Sequence, residues 1–194
     1  MMQTISDQEI QKIIQRVVQQ SIQGTSIPEV TQLETEHTKP SERRIVVIGT
    51  DHGGVDLKEI LKNFLIEKNY DVIDVGTHTK DSVDYPDIAL AVSEAVASGQ
   101  AWRGVIIDGA GIGSCMAANK VPGVRAALCY DYATAVNSRE HNNANVLTLG
   151  AGLIGTNLAK LILTTWLETD FAGGRHARRV DKITAIEERF THKG

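Results

Sequence analysis

The sequence predicts an α/β domain in which five parallel strands form a doubly wound sheet with helices on both faces. Three observations carry that expectation. Five short apolar runs recur between residues 44 and 150, each closing on Gly, Asp or Cys. The segments between them place apolar residues at helical spacing. Strand and helix in alternation imply right-handed crossovers, and hence parallel pairing with cover on both faces of the sheet.

Taken in order, "RRIVVIG" is the first strand, and Leu57, Ile60, Leu61, Phe64 and Leu65 then mark one face of a helix. "YDVIDVG" is the second strand, followed by a helix around Asp87 to Ser98. "GVIID", "VRAALC" and "NVLTLG" are strands three to five, with helical stretches between them and a last helix from about Gly155 to Glu168 ahead of a basic tail. The whole reads as Rossmann-like, and such sheets bind ligands beyond the carboxyl ends of their strands. Candidate residues fall there: Asp51 and His52 after strand one, Asp84 and Tyr85 after strand two, and the loop opening at Asp108 after strand three. His141 and Asn142, closing the helix after strand four, are expected to join them at one rim.

Ahead of this domain, residues 5–22 form an amphipathic pattern of their own. Ser6 with Glu9 makes a capping box, Ile10, Ile13, Ile14, Val17, Val18 and Ile22 share one face, and Gly24 is a stop signal. Residues 25–42, polar with two prolines, read as a flexible linker. The expected organisation is therefore a helix over 1–24, a linker over 25–42 and a folded domain over 43–194. So short a helix is marginal alone, and its apolar face needs a partner: its own domain, a sister subunit or a separate docking protein.

The 194 residues carry a formal net charge of −4, with 42% hydrophobic and 23% charged residues, a globular composition. No overall positive field draws nucleic acid or an anionic membrane, so neither is an expected partner. Two cysteines, Cys115 and Cys129, are too few for a disulfide scaffold, and no apolar run reaches spanning length, which points to a cytoplasmic protein. The histidines lack a metal-ligand spacing, so no metal is expected.

Two motifs remain. Gly109, Gly111 and Gly113 are spaced G-x-G-x-G after the third strand, unlike a dinucleotide fingerprint, but their backbone N–H groups suit an anion. In the tail, Arg175 and Arg179 stand at i, i+4 with His176 between them, a spacing that can grip a phosphate from one side of a helix.

Together, "TDHGGVDLK", "VDYPD", "GAGIGSCMAANKVPGVRAALC", "SREHNNANVLTLGA" and "GGRHARRVDKI" resemble the type B ribose-5-phosphate isomerases and the related galactose-6-phosphate isomerases, over roughly residues 43–190. The resemblance implies a homodimer, with tetramers also open, that shares residues across two active sites and uses no cofactor. It implies aldose–ketose isomerisation of a sugar phosphate through a cis-enediolate: ribose 5-phosphate to ribulose 5-phosphate first. A six-carbon galactose or allose 6-phosphate, or a sugar-phosphate-binding protein that has lost catalysis, are the alternatives. Asp51 and His52 then contact the substrate, Tyr85 lines the pocket, and His141 opens the sugar ring with Asn142, from a partner subunit. Arg175, His176 and Arg179 hold the phosphate, and the backbone of Gly109, Gly111, Ile112, Gly113 and Ser114 cradles the enediolate oxygens. The N-terminal helix and linker are similar to encapsulation peptides on bacterial microcompartment cargo, which implies packaging through a shell protein that binds residues 5–22.

At the end of strand three the family commonly has a cysteine base, and this chain has Asp108; another branch places a glutamate where this chain has Ser114. A common loop threonine is Ala110 here, and an arginine after strand five is Gly152. Asp108 is expected to be the base, its carboxylate of free pKa about 3.9 made more basic by burial at the strand end. The competing expectation is that Asp108 caps the loop by accepting N–H bonds. Cys115 is the fallback base.

Overall fold

The computed structural model describes residues 44–191, so the expected helix over residues 5–22 and the linker over 25–42 lie outside the described residues. The strands are β1 (Ile45–Thr50), β2 (Asp71–Asp74), β3 (Arg103–Asp108), β4 (Ala126–Leu128) and β5 (Val146–Gly150). The helices are α1 (Val55–Glu67), α2 (Tyr85–Ala97), α3 (Ile112–Ala118), α4 (Tyr132–Glu140), α5 (Thr156–Glu168) and α6 (Ala177–Thr191). All five strands pair in parallel, in the order β2-β1-β3-β5-β4. The Rossmann-like, doubly wound expectation is met. The basic tail differs from it, because it continues into a sixth helix, α6. No described helix is long and apolar enough to cross a membrane.

The central strands bury both faces, as continuous apolar runs should. On one face Leu57, Leu61 and Leu65 of α1, Ala135 of α4 and Ile162, Leu163 and Trp166 of α5 pack over Val46, Ile48, Val105, Ile107, Leu147 and Leu149. On the other, Ala89, Val92 and Ala95 of α2 and Ala118 of α3 cover Val47, Ile106 and Val146. Cys129 and Trp166 are core residues, as their sequence setting suggests. The chain leaves β1 toward α1 on one face and β3 toward α3 on the other. The crevice between adjacent β1 and β3 is therefore the switch point of the sheet.

The strand ends there are locked together. The Thr50 hydroxyl donates to Ile107 O at 2.8 Å and the Asp51 N–H to the same oxygen at 3.4 Å. Gly54, which starts α1, is required by this closeness: a Cβ on it would lie 2.3 Å from Thr50 Oγ1 and 2.5 Å from Ile107 Cγ2. Lys58 on α1 ties the neighbouring β2 in. Its fully buried ammonium donates to Asp74 at 3.0 Å and to Thr77 O at 3.1 Å, and lies 3.1 Å from Glu59. Burial works to raise the Asp74 carboxyl, but Lys58, Lys62 and the Gly76 N–H outweigh it and hold the group below its ordinary value.

Helices in such a fold run back antiparallel to the strands, and this corrects one expectation. His141 and Asn142 do not share the rim of Asp51 and Asp108. α4 starts at the carboxyl end of β4 and carries them to the opposite, amino rim. There Arg125, which leads into β4, donates through Nε to Asn143 O at 3.1 Å, and its N–H reaches Asn145 Oδ1 at 2.7 Å. α5 ends at the same rim, where Arg139 Nε donates to Thr169 O at 3.3 Å and the Ala172 N–H to Glu140 O at 3.0 Å. With about 3.3 Å of rise per strand residue, the two rims are about 15 Å apart.

Candidate active site

The carboxyl rim gathers three loops around the switch point. Asp51, 8% exposed, accepts the Gly53 N–H at Oδ1 (2.9 Å) while Oδ2 carries no hydrogen bond among the described residues. His52 Nδ1 accepts the Val83 N–H at 3.3 Å, which leaves the Nε2 proton facing outward. Tyr85 opens α2 and lays its ring over the third loop: a Cβ on Gly113 would come within 2.6 Å of Tyr85 Cζ. Asp51, His52, Tyr85, Asp108 and residues 109–114 thus sit together, as expected.

Asp108 is turned inward, 5% exposed. Its Oδ1 accepts the Ala110 N–H at 2.8 Å and also the Gly111 N–H. Its Oδ2 accepts the Ser114 N–H at 3.1 Å and the Ser114 hydroxyl at 2.5 Å. A carboxylate offers about four lone-pair sites, and four donors occupy them. The capping arrangement is the one observed. It also amends the expected cradle: the N–H groups of Ala110, Gly111 and Ser114 already serve Asp108, and among the described residues no acceptor is recorded for those of Gly109, Ile112 and Gly113. Gly111, at φ +76°, makes the turn that permits this. Cys115 points away, its Sγ 3.5 Å from Ala126 O.

The second group lies on the amino rim. His141 and His176 stack face to face, ring centroids 4.1 Å apart and 2° from parallel. Asn137 Nδ2 donates to His141 Nδ1 at 2.8 Å, so the ring carries its proton on Nε2, which is 3.8 Å from Glu140. Asn142 donates to Asn137 O at 3.1 Å. Arg175 Nε donates to His176 Nε2 at 3.2 Å, and Arg179 lies one turn on, its N–H bonded to His176 O. Burial first, then His141, Arg175 and Arg179, push the His176 imidazole below its ordinary value.

The cations of the two rims differ, while acids occur on both: Asp71, Glu140, Glu168 and Asp170 lie on the amino rim. Near the carboxyl rim Lys58 and Lys62 face Asp74 and Glu59, and Lys80 pairs with Asp56 at 2.8 Å. Asp51 and Asp108 add further acid. The arginines stand opposite: Arg44, Arg103 and Arg125 lead into strands, Arg139 ends α4, and Arg175, Arg178 and Arg179 open α6. Burial above all, with smaller contributions from Arg139, Arg44 and Arg125 and against the pull of Asp170, brings the Arg103 guanidinium down to about 10. Among the described residues, Glu59, Asp74 and His78 form a grouping that could hold a metal ion. The Lys58 ammonium already sits among them, 3.2 Å from His78 Nδ1.

Sequence reading missed two residues of this region. Lys58 had a signal, a lysine at i−3 and i−7 from Leu61 and Leu65 on the apolar face of α1. Tyr130, whose hydroxyl donates to Ala110 O at 2.7 Å, had none.

A family model for ribose/galactose isomerases matches residues 46–183. The ribose-5-phosphate isomerase B of Escherichia coli is 44% identical over 144 residues, 74% of this chain and 97% of the relative. The D-erythrulose-4-phosphate isomerase of Pectobacterium atrosepticum is 40% identical over 149 residues, 76% of this chain and 98% of the relative. A solved ribose-5-phosphate isomerase B from Clostridium thermocellum is 53% identical, with a TM-score of 0.74 over 75% of this chain and 99% of that one. The chain belongs to the ribose/galactose isomerase family, and it is an isomerase.

Proposed function

We propose that this chain interconverts ribose 5-phosphate and ribulose 5-phosphate through a cis-enediolate, at a site built from the carboxyl rim of one copy and the amino rim of a second. The placement of Arg175 and Arg179 on the rim opposite Asp51 carries the reading. A phosphate dianion at the Asp51 rim meets lysines already paired with acids, whereas Arg175 and Arg179 stand about 15 Å away in the same chain. A two-fold pair brings each basic rim to the other's acidic one, twice by symmetry. Ile183 and Ile186, exposed along α6 just beyond Arg179, give such a pair apolar surface to bury. The five-carbon substrate follows the names of the relatives from Escherichia coli and Clostridium thermocellum.

In this site Arg175, His176 and Arg179 grip the phosphate, and the Nε2 proton of His141, with Asn142 beside it, assists ring opening. A base then removes the proton from C2 of the aldose, the O1 and O2 oxygens share the enediolate charge while the hydroxyl proton of O2 passes to O1, and the same base returns its proton to C1. Asp108, expected in that role, has every lone pair engaged. Asp51 keeps Oδ2 open at the switch point, so the shuttle falls to Asp51, while Asp108 and Ser114 hold the loop. The N–H groups of Gly109, Ile112 and Gly113 are the donors left for the enediolate oxygens, and His52 and Tyr85 line the sugar.

Five measurements check this reading. Full-length protein offered four-, five- and six-carbon aldose phosphates in deuterated water should exchange the C2 hydrogen of ribose 5-phosphate fastest. Failure to exchange any of them while binding them would leave a binding protein. Asp51→Asn should lower kcat by about 10²–10⁴, the usual worth of an acid–base group. Asp108→Asn should instead remove about 1–3 kcal/mol of stability, as the Ser114 N–H loses its acceptor, with residual turnover; abolished exchange at unchanged stability would return the base to Asp108.

Mixing Asp51→Asn and His141→Ala copies should restore about a quarter of wild-type activity, because half the random pairs own one intact composite site. Sites contained within one chain would restore none. By NMR, His176 should titrate below the ordinary 6.5. Its contribution to stability is then full above that pH and is lost as pH falls toward the folded-state value, since the unfolded chain takes the proton first. Inorganic phosphate, which favours the imidazolium, should move the titration upward.

A further inference from the structure

The geometry points to Tyr130 as a positioning residue for the isomerisation, acting through the Ala110–Gly111 peptide; this rests on the isomerase reading above. The peptide group is a rigid plane whose carbonyl and N–H point in opposite directions. Here both ends are held. Tyr130 Oη–H donates to the Ala110 carbonyl at 2.7 Å, and Asp108 Oδ1 accepts the Gly111 N–H. Gly111 sits at φ +76° and has no Cβ to resist a flip.

The direction of this peptide matters to the chemistry. Rotated by half a turn, it would aim a carbonyl dipole at the rim where the enediolate charge develops, and would strip Asp108 of one donor. Negative would then face negative in a site whose purpose is to present N–H groups. The loop also has little room for an intermediate pose, because it lies against β5: a Cβ on Gly150 would be 2.7 Å from the carbonyl oxygen of Ala110. The clamp is thus one of two discrete orientations, and the tyrosine hydroxyl selects between them.

Tyr130 is itself well anchored. Its ring packs against the larger core cluster, and its N–H donates to Thr134 Oγ1 at 3.2 Å. Thr134 belongs to the capping box of α4, where Asp131 Oδ1 accepts the Thr134 N–H at 2.7 Å. The clamp therefore links the start of α4 to the loop after β3. Removing only the hydroxyl leaves the packing in place.

The test is Tyr130→Phe in the full-length protein. Turnover of ribose 5-phosphate should fall about tenfold in kcat with KM within twofold, because the phosphate grip on the other rim is untouched. Deuterium exchange at C2 should fall with it. The melting temperature should stay close to wild type, which a purely structural role would not permit. In a double-mutant cycle, Tyr130→Phe and Asp108→Asn should combine to less than their sum, since both release the same peptide. Amide exchange at Gly111 should accelerate at least tenfold in Tyr130→Phe, a readout independent of catalysis. Unchanged kcat in the variant, or unchanged Gly111 exchange, overturns the inference. A wild-type protein without turnover overturns the isomerase reading instead, and the amide measurement then decides the clamp alone.

Discussion

Asp108 folds its carboxylate back onto its own loop, and the architecture of the carboxyl rim depends on that contact. Three backbone N–H groups and a serine hydroxyl converge on two oxygens that are almost closed to water. A buried carboxylate without such donors would be costly, and donors without an acceptor equally so. Each requires the other, so the loop from Gly109 to Ser114 can close only around this side chain. Once closed, it receives Tyr85 over Gly113 and lies against the end of β5. In this chain the acid that ends β3 is first of all a structural element.

In the proposed mechanism that arrangement moves the proton shuttle to another side chain. With Asp108 committed to four donors, the open carboxylate oxygen at the switch point belongs to Asp51, on the neighbouring strand. The two strands are adjacent because the chain crosses back over β1 on its way from β2 to β3. Gly54 and the bonds from Thr50 and Asp51 to Ile107 keep their ends in contact. The crevice is a consequence of winding order, not of any single motif.

The second consequence of the winding concerns charge. The carboxyl rim carries Asp51, Asp56, Asp74, Asp84 and Asp108, while the amino rim carries arginines together with Asp71, Glu140 and Glu168. Each lysine near the acidic rim is neutralised locally, Lys58 so thoroughly that it fills the acidic grouping beside β2. In the proposed reaction the phosphate takes the arginine-bearing rim of one copy and the proton shuttle the carboxyl rim of a second.

Much of the fold was readable directly. Uninterrupted apolar runs of strand length, separated by segments at helical spacing, admit few solutions besides a parallel sheet covered on both faces, because right-handed crossovers leave no other way to bury them. The gathering of Asp51, His52, Tyr85 and Asp108 at one rim was readable too, from their positions after strands one, two and three. α6 was not, since its helix contributes only Val180 to the buried residues and so shows a weak core signal. Nor was the rim of His141, although the direction of a helix after a strand follows from the same crossover rule. Tertiary structure alone decided what Asp108 does. Sequence supplies a carboxylate beside a glycine-rich turn, and either a raised, reactive acid or a saturated cap is compatible with that. Only the folded loop, with its N–H groups aimed inward and Tyr130 fixing the peptide between them, chooses the cap, because hydrogen-bond direction is set by backbone angles that no local residue pattern specifies.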